Sequence, residues 1–389
     1  MNFSFLENQI ESPAKIKVIG VGGGGGNAIN NMINYNLTGV DFISANTDLQ
    51  ALQQSKSPII IQLGEELTRG RGAGAMPQVG REAAIESSDK IKAVLEGADM
   101  VFIAAGFGGG TGTGSSPVIA KICKDLGILT IVVGTKPFSF EGKKRTKNAE
   151  DVICELRDIA DTVIVISNDR LRGIAGRKEP MISTFRKADD ILHHSVKGIT
   201  DLLMVPGLVN LDFADVRTIM SKPGVAIIGI GIAEGDNRAK EAAERAISHP
   251  LLEDVSIIGA KGLLLNITST NDITMDETSE ACERIYNEVG DDSEIIWGHS
   301  FDERLKNEIR VTVIATGIKP PSYMTSPKPK VAEGSGKLRD LRPEDYMNPS
   351  PVVRTIPYKK AVGETIQSDK VHKGQNNSDN LDIPTYLRR

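Results

Sequence analysis

The residues of this 389-residue chain that could do chemistry gather in three short stretches. "IGVGGGGGNA" (19–28) and "GFGGGTGTGSSP" (106–117) each close an apolar run with glycines and pass into helical spacing. "NLDFADV" (210–216) sets Asp212 and Asp215 three positions apart. A glycine turn feeding a helix is an anion site, because the first N–H groups of a helix lack intrahelical partners and the helix dipole adds partial positive charge there. Glycine also lets the backbone approach a phosphate closely and take positive φ. Two carboxylates three apart share one side of a helical turn, where they can polarise a water or simply cap the helix. From spacing alone both uses of the pair stand.

Gly20, Gly22 and Gly25 satisfy G-x-G-x-x-G, which admits a dinucleotide-dependent oxidoreductase. That reading also wants an acidic residue about 20 positions on, for a ribose hydroxyl. Asp41 comes too early for it and Asp48 slightly late. The second loop points elsewhere. Between Gly108, Gly109, Gly110, Gly112 and Gly114 the only side chains are Thr111 and Thr113, so the turn offers several N–H groups and two hydroxyls to a polyphosphate. Two such loops at neighbouring strand ends suit a triphosphate better than the single pyrophosphate loop of a Rossmann enzyme. No G-x-x-x-x-G-K-[ST] occurs, which excludes a P-loop NTPase.

These loops need a scaffold, and the flanking pattern supplies one. "KIKVIGVG", "DFISAN", "PIIIQL", "DMVFIAAG", "ILTIVVG" and "DTVIVIS" read as strands between helical stretches that include 80–97 and 143–160. Continuous Val/Ile runs alternating with helices predict an α/β fold, a Rossmann-like parallel sheet covered on both faces. A long helix is expected over 181–204, stopped by Pro206-Gly207. Beyond it, strands at 225–233, 261–269, 293–300 and 308–318, with helices near 236–248 and 276–289, form a second, smaller α/β unit. His193 and His194 are adjacent on the long helix, about 100° apart, so they do not share a metal.

The composition bounds the function classes. The length allows two ordinary domains with material left over, and 25% charged with 40% apolar residues is ordinary for a soluble chain. A net charge of −5 argues against a broad nucleic-acid-binding surface, and 4% aromatics argue against a stacking platform. Three dispersed cysteines, Cys123, Cys154 and Cys282, read as reduced thiols, with Cys123 in a core. Neither a secretory signal nor a membrane span is visible, so a cytoplasmic location is expected. From Lys319 the pattern dissolves: residues 319–380 hold eight of the 18 prolines and no sustained periodicity. They read as a disordered linker with a reach on the order of 45 Å. It ends in "LDIPTYLRR" (381–389), where apolar and basic residues return together as a short recognition segment.

"GGGTGTG" (108–114) is the signature of the tubulin/FtsZ superfamily, and the chain resembles its FtsZ branch in particular. Further matches follow in the family's order: "GGGGGNA" (22–28), "NTD" (46–48), "GAGA" (72–75), "TKPFSFEGKKR" (135–145), "SND" (167–169), "NLDFADV" (210–216) and the tail "LDIPTYLRR". The resemblance implies a flexible N-terminal tail (1–12), a GTP-binding domain (13–180), a central helix (181–205), a C-terminal activation domain (206–318), a linker (319–380) and a partner-binding peptide (381–389). It implies a GTPase of cell division that polymerises head to tail, against alternatives of a Rossmann-type oxidoreductase or a GTP-binding structural protein that does not hydrolyse.

Carried over residue by residue, the resemblance gives GTP/GDP phosphate contacts to Gly23, Gly24, Gly25, Gly26 and Asn27, and to Gly110, Thr111, Gly112, Thr113 and Gly114. Gly72, Ala73 and Gly74 would close over the γ-phosphate, with Met76 standing where the family usually has Asn. Thr135, Glu141 and Arg145 would lie beside the nucleotide, the last two reaching the ribose. Asn168, Phe185 and Asp189 would meet guanine, whose N1–H and 2-amino donors suit an Asp as adenine does not. Asn46 and Asp48 would arrange water or Mg²⁺; without the family they read as an Asx turn. Asn210, Asp212 and Asp215 would trigger hydrolysis. A 24-residue helix spans roughly 36 Å, so that loop lies too far from its own glycine turns. In the family it enters the next subunit's site. Partners implied are the protein itself and membrane-anchoring and regulatory division proteins through 381–389, at a midcell division ring, with no nucleic acid and no direct membrane insertion.

Overall fold

Apolar runs with a single hydrophobic face make amphipathic strands, whereas runs apolar on both faces must be covered twice. Met100–Gly106 and Leu129–Lys136 are of the second kind, buried along almost their whole length, and they form the centre of the sheet. A computed structural model describes residues 14–174, 180–250, 257–290 and 293–318. The sequence-predicted tail, linker and terminal peptide (1–12, 319–380, 381–389) lie outside these residues.

The first part of the chain alternates β1 (Ile16–Val21), α1 (Gly22–Asn34), β2 (Asp41–Asn46), α2 (Leu49–Gln53), β3 (Ile59–Gln62), α3 (Glu65–Thr68), α4 (Pro77–Glu86), α5 (Ser88–Leu95) and β4 (Met100–Gly106). It continues with α6 (Thr111–Asp125), β5 (Leu129–Lys136), α7 (Lys143–Ile159), β6 (Thr162–Ser167) and α8 (Asn168–Ile174). After α9 (Met181–Met204) come α10 (Phe213–Met220), β7 (Val225–Glu234), α11 (Arg238–Ile247), β8 (Gly262–Ser269), α12 (Met275–Val289), β9 (Glu294–Phe301) and β10 (Glu308–Ile318).

The strands form one ten-stranded sheet in the order β3-β2-β1-β4-β5-β6-β7-β10-β8-β9. All pairings from β3 through β6 are parallel, as the alternation of strands and helices predicts. Beyond β6 the sheet is mixed: β10 runs antiparallel to both β7 and β8, and β8 is parallel to β9. A single registered pair, Ile164 with Ala226, joins β6 to β7. The second group of strands therefore extends the first sheet, a continuity that the sequence pattern does not reveal.

Two buried clusters sit on opposite faces of the sheet. Helix α9 covers one face with Ala188, Leu192, Val196, Ile199 and Leu202, which recur at helical spacing on one stripe. Burying a side chain of this size contributes about 1.5–3 kcal/mol, so the stripe holds α9 firmly across the sheet. Its bounds match the expectation. The stretch expected as one helix at 80–97 instead breaks at Ser87, whose Oγ accepts from Gly64 N–H at 3.0 Å. That side chain serves the loop after β3, and the helix restarts beyond it. Cys123 is fully buried, as expected. Among the described residues no helix is long and apolar enough to cross a membrane.

Candidate functional site

The carboxyl ends of β1, β4, β5 and β6 open on a cavity of about 400 Å³, within the range of ~300–1,000 Å³ usual for ligand pockets. Ligands in open α/β sheets bind at this edge. One end of the cavity is backbone. Helices α1 and α6 both begin here, and neither has a side-chain cap: Val21 precedes α1 and Gly110 precedes α6. Their first N–H groups are left for a ligand, and both dipoles favour an anion. The lining includes Gly23, Gly24 and Asn27 from α1, which share one face, and Gly109, Gly110, Thr111 and Gly112 from the second turn.

Glycine is required where the two turns meet. Gly22 has φ +73°, and a Cβ on it would lie 2.9 Å from the Gly112 nitrogen. A Cβ on Gly112 would lie 2.6 Å from the Gly106 carbonyl oxygen. The two helix starts are thus packed backbone to backbone. Thr47 Oγ1 lies 2.6 Å from Thr111 Oγ1, tying the loop after β2 to the second turn.

The other end of the cavity is built from side chains. Glu141 and Arg145 form an ion pair of 2.5 Å across one helical turn, and both line the cavity with Thr135. Phe185 lines it too, edge-on to Phe138 at 5.3 Å, while Phe138 stacks on Phe140 at 5.0 Å. Asn168 is 6% exposed, and its buried Oδ1 has no partner among the described residues. An unpartnered buried acceptor costs about 1–3 kcal/mol, so this oxygen fits a ligand that brings a donor. Asp189 stands on the same wall and accepts from Asn31 Nδ2 at 3.0 Å. Burial, aided by the neighbouring Asp190 charge, pushes its carboxyl up to about 7. A ligand edge with two N–H donors would stabilise the ionised form.

Other sequence-predicted residues lie beside the cavity or away from it. Gly25 packs against β4, where a Cβ would meet the Ala104 carbonyl oxygen at 2.3 Å, and Gly26 lies beside Ser44. Thr113 Oγ1 accepts from Gly108 N–H at 2.8 Å and closes the second turn. Gly114 packs α6 against α4, where a Cβ would come within 1.9 Å of the Pro77 carbonyl oxygen. Gly72 and Gly74 have φ of +82° and +56°, and Ala73 packs against Gly110, so "GAGA" folds onto the second turn. Asn46 Oδ1 accepts from Asp48 N–H at 3.3 Å, and Asp48 Oδ1 caps α2 through Gln50 and Ala51. No cluster of three His, Cys, Asp or Glu that could hold a metal occurs among the described residues.

Asn210, Asp212 and Asp215 do not line the cavity. They follow the far end of α9, whose start contributes Phe185, Ala188, Asp189 and Leu192 to it. Asp212 caps α10, accepting from Asp215 N–H at 2.8 Å, and Asn210 Oδ1 accepts from Gly207 N–H at 2.8 Å. Asn210 and Asp212 are exposed. Asn31 and Thr47 are contacts that sequence reasoning missed; each acts on a residue distant in the chain, and no local motif announces such a pairing.

Residues 15–176 match the Tubulin/FtsZ family GTPase domain, and residues 224–319 match the FtsZ family C-terminal domain. The chain is 44% identical to the cell division protein FtsZ of Pseudomonas putida, covering 100% of this chain and 99% of that one. It is 45% identical to the cell division protein FtsZ of Coxiella burnetii, over 97% and 96% of the two chains. Among solved structures, an empty FtsZ dimer from M. jannaschii superposes with a TM-score of 0.76 at 41% identity, covering 83% of this chain and 96% of that one.

Proposed function

The chain belongs to the FtsZ family, and from that membership we propose how its site works. The protein is a GTPase of cell division that binds guanine nucleotide and self-associates into filaments. The oxidoreductase alternative is not favoured.

In our reading the triphosphate lies against the uncapped starts of α1 and α6, touching Gly23, Gly24 and Asn27 on one side, with Gly25 and Gly26 shaping the turn behind them. Gly110, Thr111 and Gly112 face it on the other, where Thr113 and Gly114 hold the turn in place. Gly72, Ala73 and Gly74 close over the terminal phosphate. The base meets Asn168, Phe185 and Asp189, and Thr135, Glu141 and Arg145 lie beside the sugar. Mg²⁺ held near Asn46 and Asp48 would neutralise charge on the phosphates. The residues present fit that role through water: among the described residues the carboxylate beside Gly72 is Asp48, whose side chain already caps α2.

A single observation carries the mechanism. The cavity offers donors for phosphate and acceptors for a base, yet none of its described lining residues at the phosphate end bears a carboxyl group. Its two carboxyl-bearing lining residues, Glu141 and Asp189, sit at the sugar and base end. Hydrolysis needs a water placed in line with the γ-phosphate. Exposed Asp212 and half-buried Asp215, with exposed Asn210, supply that function to the next subunit. A head-to-tail contact of this kind is heterologous and generates open filaments, so catalysis and assembly are one event. We read 13–180 as the binding half, 181–205 as the spacer and 206–318 as the half that completes a neighbour. The peptide 381–389, tethered by 319–380, recruits membrane-anchoring and regulatory partners at the midcell ring in the cytoplasm.

The test is phosphate release with light scattering across a protein titration. GTP turnover per subunit should rise steeply above a threshold concentration, together with scattering. Turnover per subunit that is constant at every concentration would overturn the shared site.

A further inference from the structure

His299 of β9 grips the loop between α9 and α10, and nothing above assigns it a role. It is 2% exposed. Leu208 N–H donates to its Nδ1 at 3.4 Å, and its own backbone N–H donates to the Val209 carbonyl at 2.9 Å. On the other side of the ring, Ser269 Oγ of β8 lies 2.9 Å from Nε2. Ser269 has one hydroxyl proton and directs it to the Thr270 carbonyl at 2.9 Å, so toward the imidazole it accepts. Nε2 must then carry the ring proton, which leaves on Nδ1 the lone pair that Leu208 N–H needs. Gly207 presses the loop onto the strand: a Cβ there would lie 1.7 Å from the His299 carbonyl oxygen. The ring packs against Phe301 at 4.7 Å.

We propose that His299 is a positioning residue for GTP hydrolysis: its neutral, Nε2-protonated imidazole fixes the loop that presents Asn210 and Asp212 to the neighbouring subunit. The inference rests on reading that loop as hydrolytic. Protonation puts an N–H on Nδ1 against the N–H of Leu208, and two donors facing each other force the loop to move. Burial holds the imidazole below its ordinary value of 6.5, so the neutral form prevails at neutral pH and the grip is lost as pH falls. The charged groups on the elements packed around it are engaged with one another. On α9, Lys197 pairs with Asp201 and, at 3.7 Å, with Asp302 after β9. Arg304 pairs with Asp302 at 2.9 Å. Beyond β8, Asp272 pairs with Arg238 at 2.9 Å, and on α10 Asp212 and Asp215 make the cap already described.

The experiment measures kcat for phosphate release by the full chain, at saturating GTP and a protein concentration well above the assembly threshold. It spans about pH 5 to 8, where histidine titrates. His299→Asn places Oδ1 where Nδ1 stood and does not titrate. Its kcat should stay within about threefold of wild type at pH 8 and lack the acid-side decline expected of wild type, the loss of one neutral hydrogen bond to Ser269 being modest. His299→Leu removes the acceptor and should lower kcat about fivefold across the range, with the KM for GTP unchanged. An acid-side decline in His299→Asn identical to wild type overturns the proposal, as does a wild-type kcat in His299→Leu. If His299→Leu does not fold, the His299→Asn profile decides. Asp212→Asn keeps two failures apart. Normal hydrolysis by that variant sinks the hydrolytic loop and His299 with it. An inactive Asp212→Asn beside an unaltered His299→Asn profile sinks only His299.

Discussion

Replacing Asp212 with Asn should cut GTP turnover by about a hundredfold or more, the contribution expected of a group that positions or polarises the attacking water. Stability and nucleotide affinity should hardly change. The substitution separates the two readings that spacing leaves open. As a helix cap, Asp212 accepts the Asp215 N–H through Oδ1, and Asn caps as well as Asp does. If capping were the whole role, Asp212→Asn would behave as wild type. If the charge acts on a neighbour's γ-phosphate water, the neutral amide removes it while α10 stays intact. Filaments of the variant should also persist longer after GTP is limited, because the hydrolysis that weakens them is slowed. Assay of phosphate release beside GTP binding and thermal unfolding checks each part.

The second large effect belongs to Asp189. Asp189→Ala should weaken guanine nucleotide binding about a hundredfold, the loss of roughly two charge-assisted hydrogen bonds. Adenine nucleotide affinity, which gains nothing from that carboxylate, should not fall. The wild-type protein should also show a pH signature. Burial and the Asp190 charge place the carboxyl at about 7, and a donor edge binds its ionised form. Binding therefore expels a proton below that value. Affinity is full above about 7 and falls as the pH drops through it, by about tenfold per unit. In Asp189→Ala that slope should vanish. A wild-type affinity that stays flat as the pH is lowered from 8 to 6, titrated for instance by fluorescence of a labelled nucleotide, would remove Asp189 from the base contact.

Much of the scaffold was legible because it depends on local pattern. The bounds of α9 follow from an apolar stripe and from Pro206-Gly207 at its end. The parallel half of the sheet follows from Val and Ile runs such as that of β5, which only double coverage can bury. The glycine turns announced a close backbone approach, since few other sequences let two backbones meet as Gly22 and Gly112 do. What stayed hidden depends on contacts across the chain. Ser87 breaks a helical pattern to serve Gly64, and Asn31 steadies Asp189 from a helix distant in sequence. The extension of the sheet from β6 to β7 rests on one registered pair, for which no periodicity exists. The readings of Asp212 as a cap and as a hydrolytic group were equally local. The structure realises the cap and leaves the carboxylate exposed for the other.

The central claim is that one subunit's nucleotide is hydrolysed by another subunit's loop, and mixing two disabled variants tests it most directly. Asp212→Asn keeps a complete nucleotide site and a dead loop, whereas Asp189→Ala keeps a complete loop and a guanine-poor site. GTP is set at a concentration that fills the first variant and not the second. Each alone should release almost no phosphate. An equal mixture should recover up to about a quarter of wild-type turnover, since on random association one contact in four pairs a filled site with a live loop. A mixture that releases no more phosphate than the two variants measured separately would contradict the account.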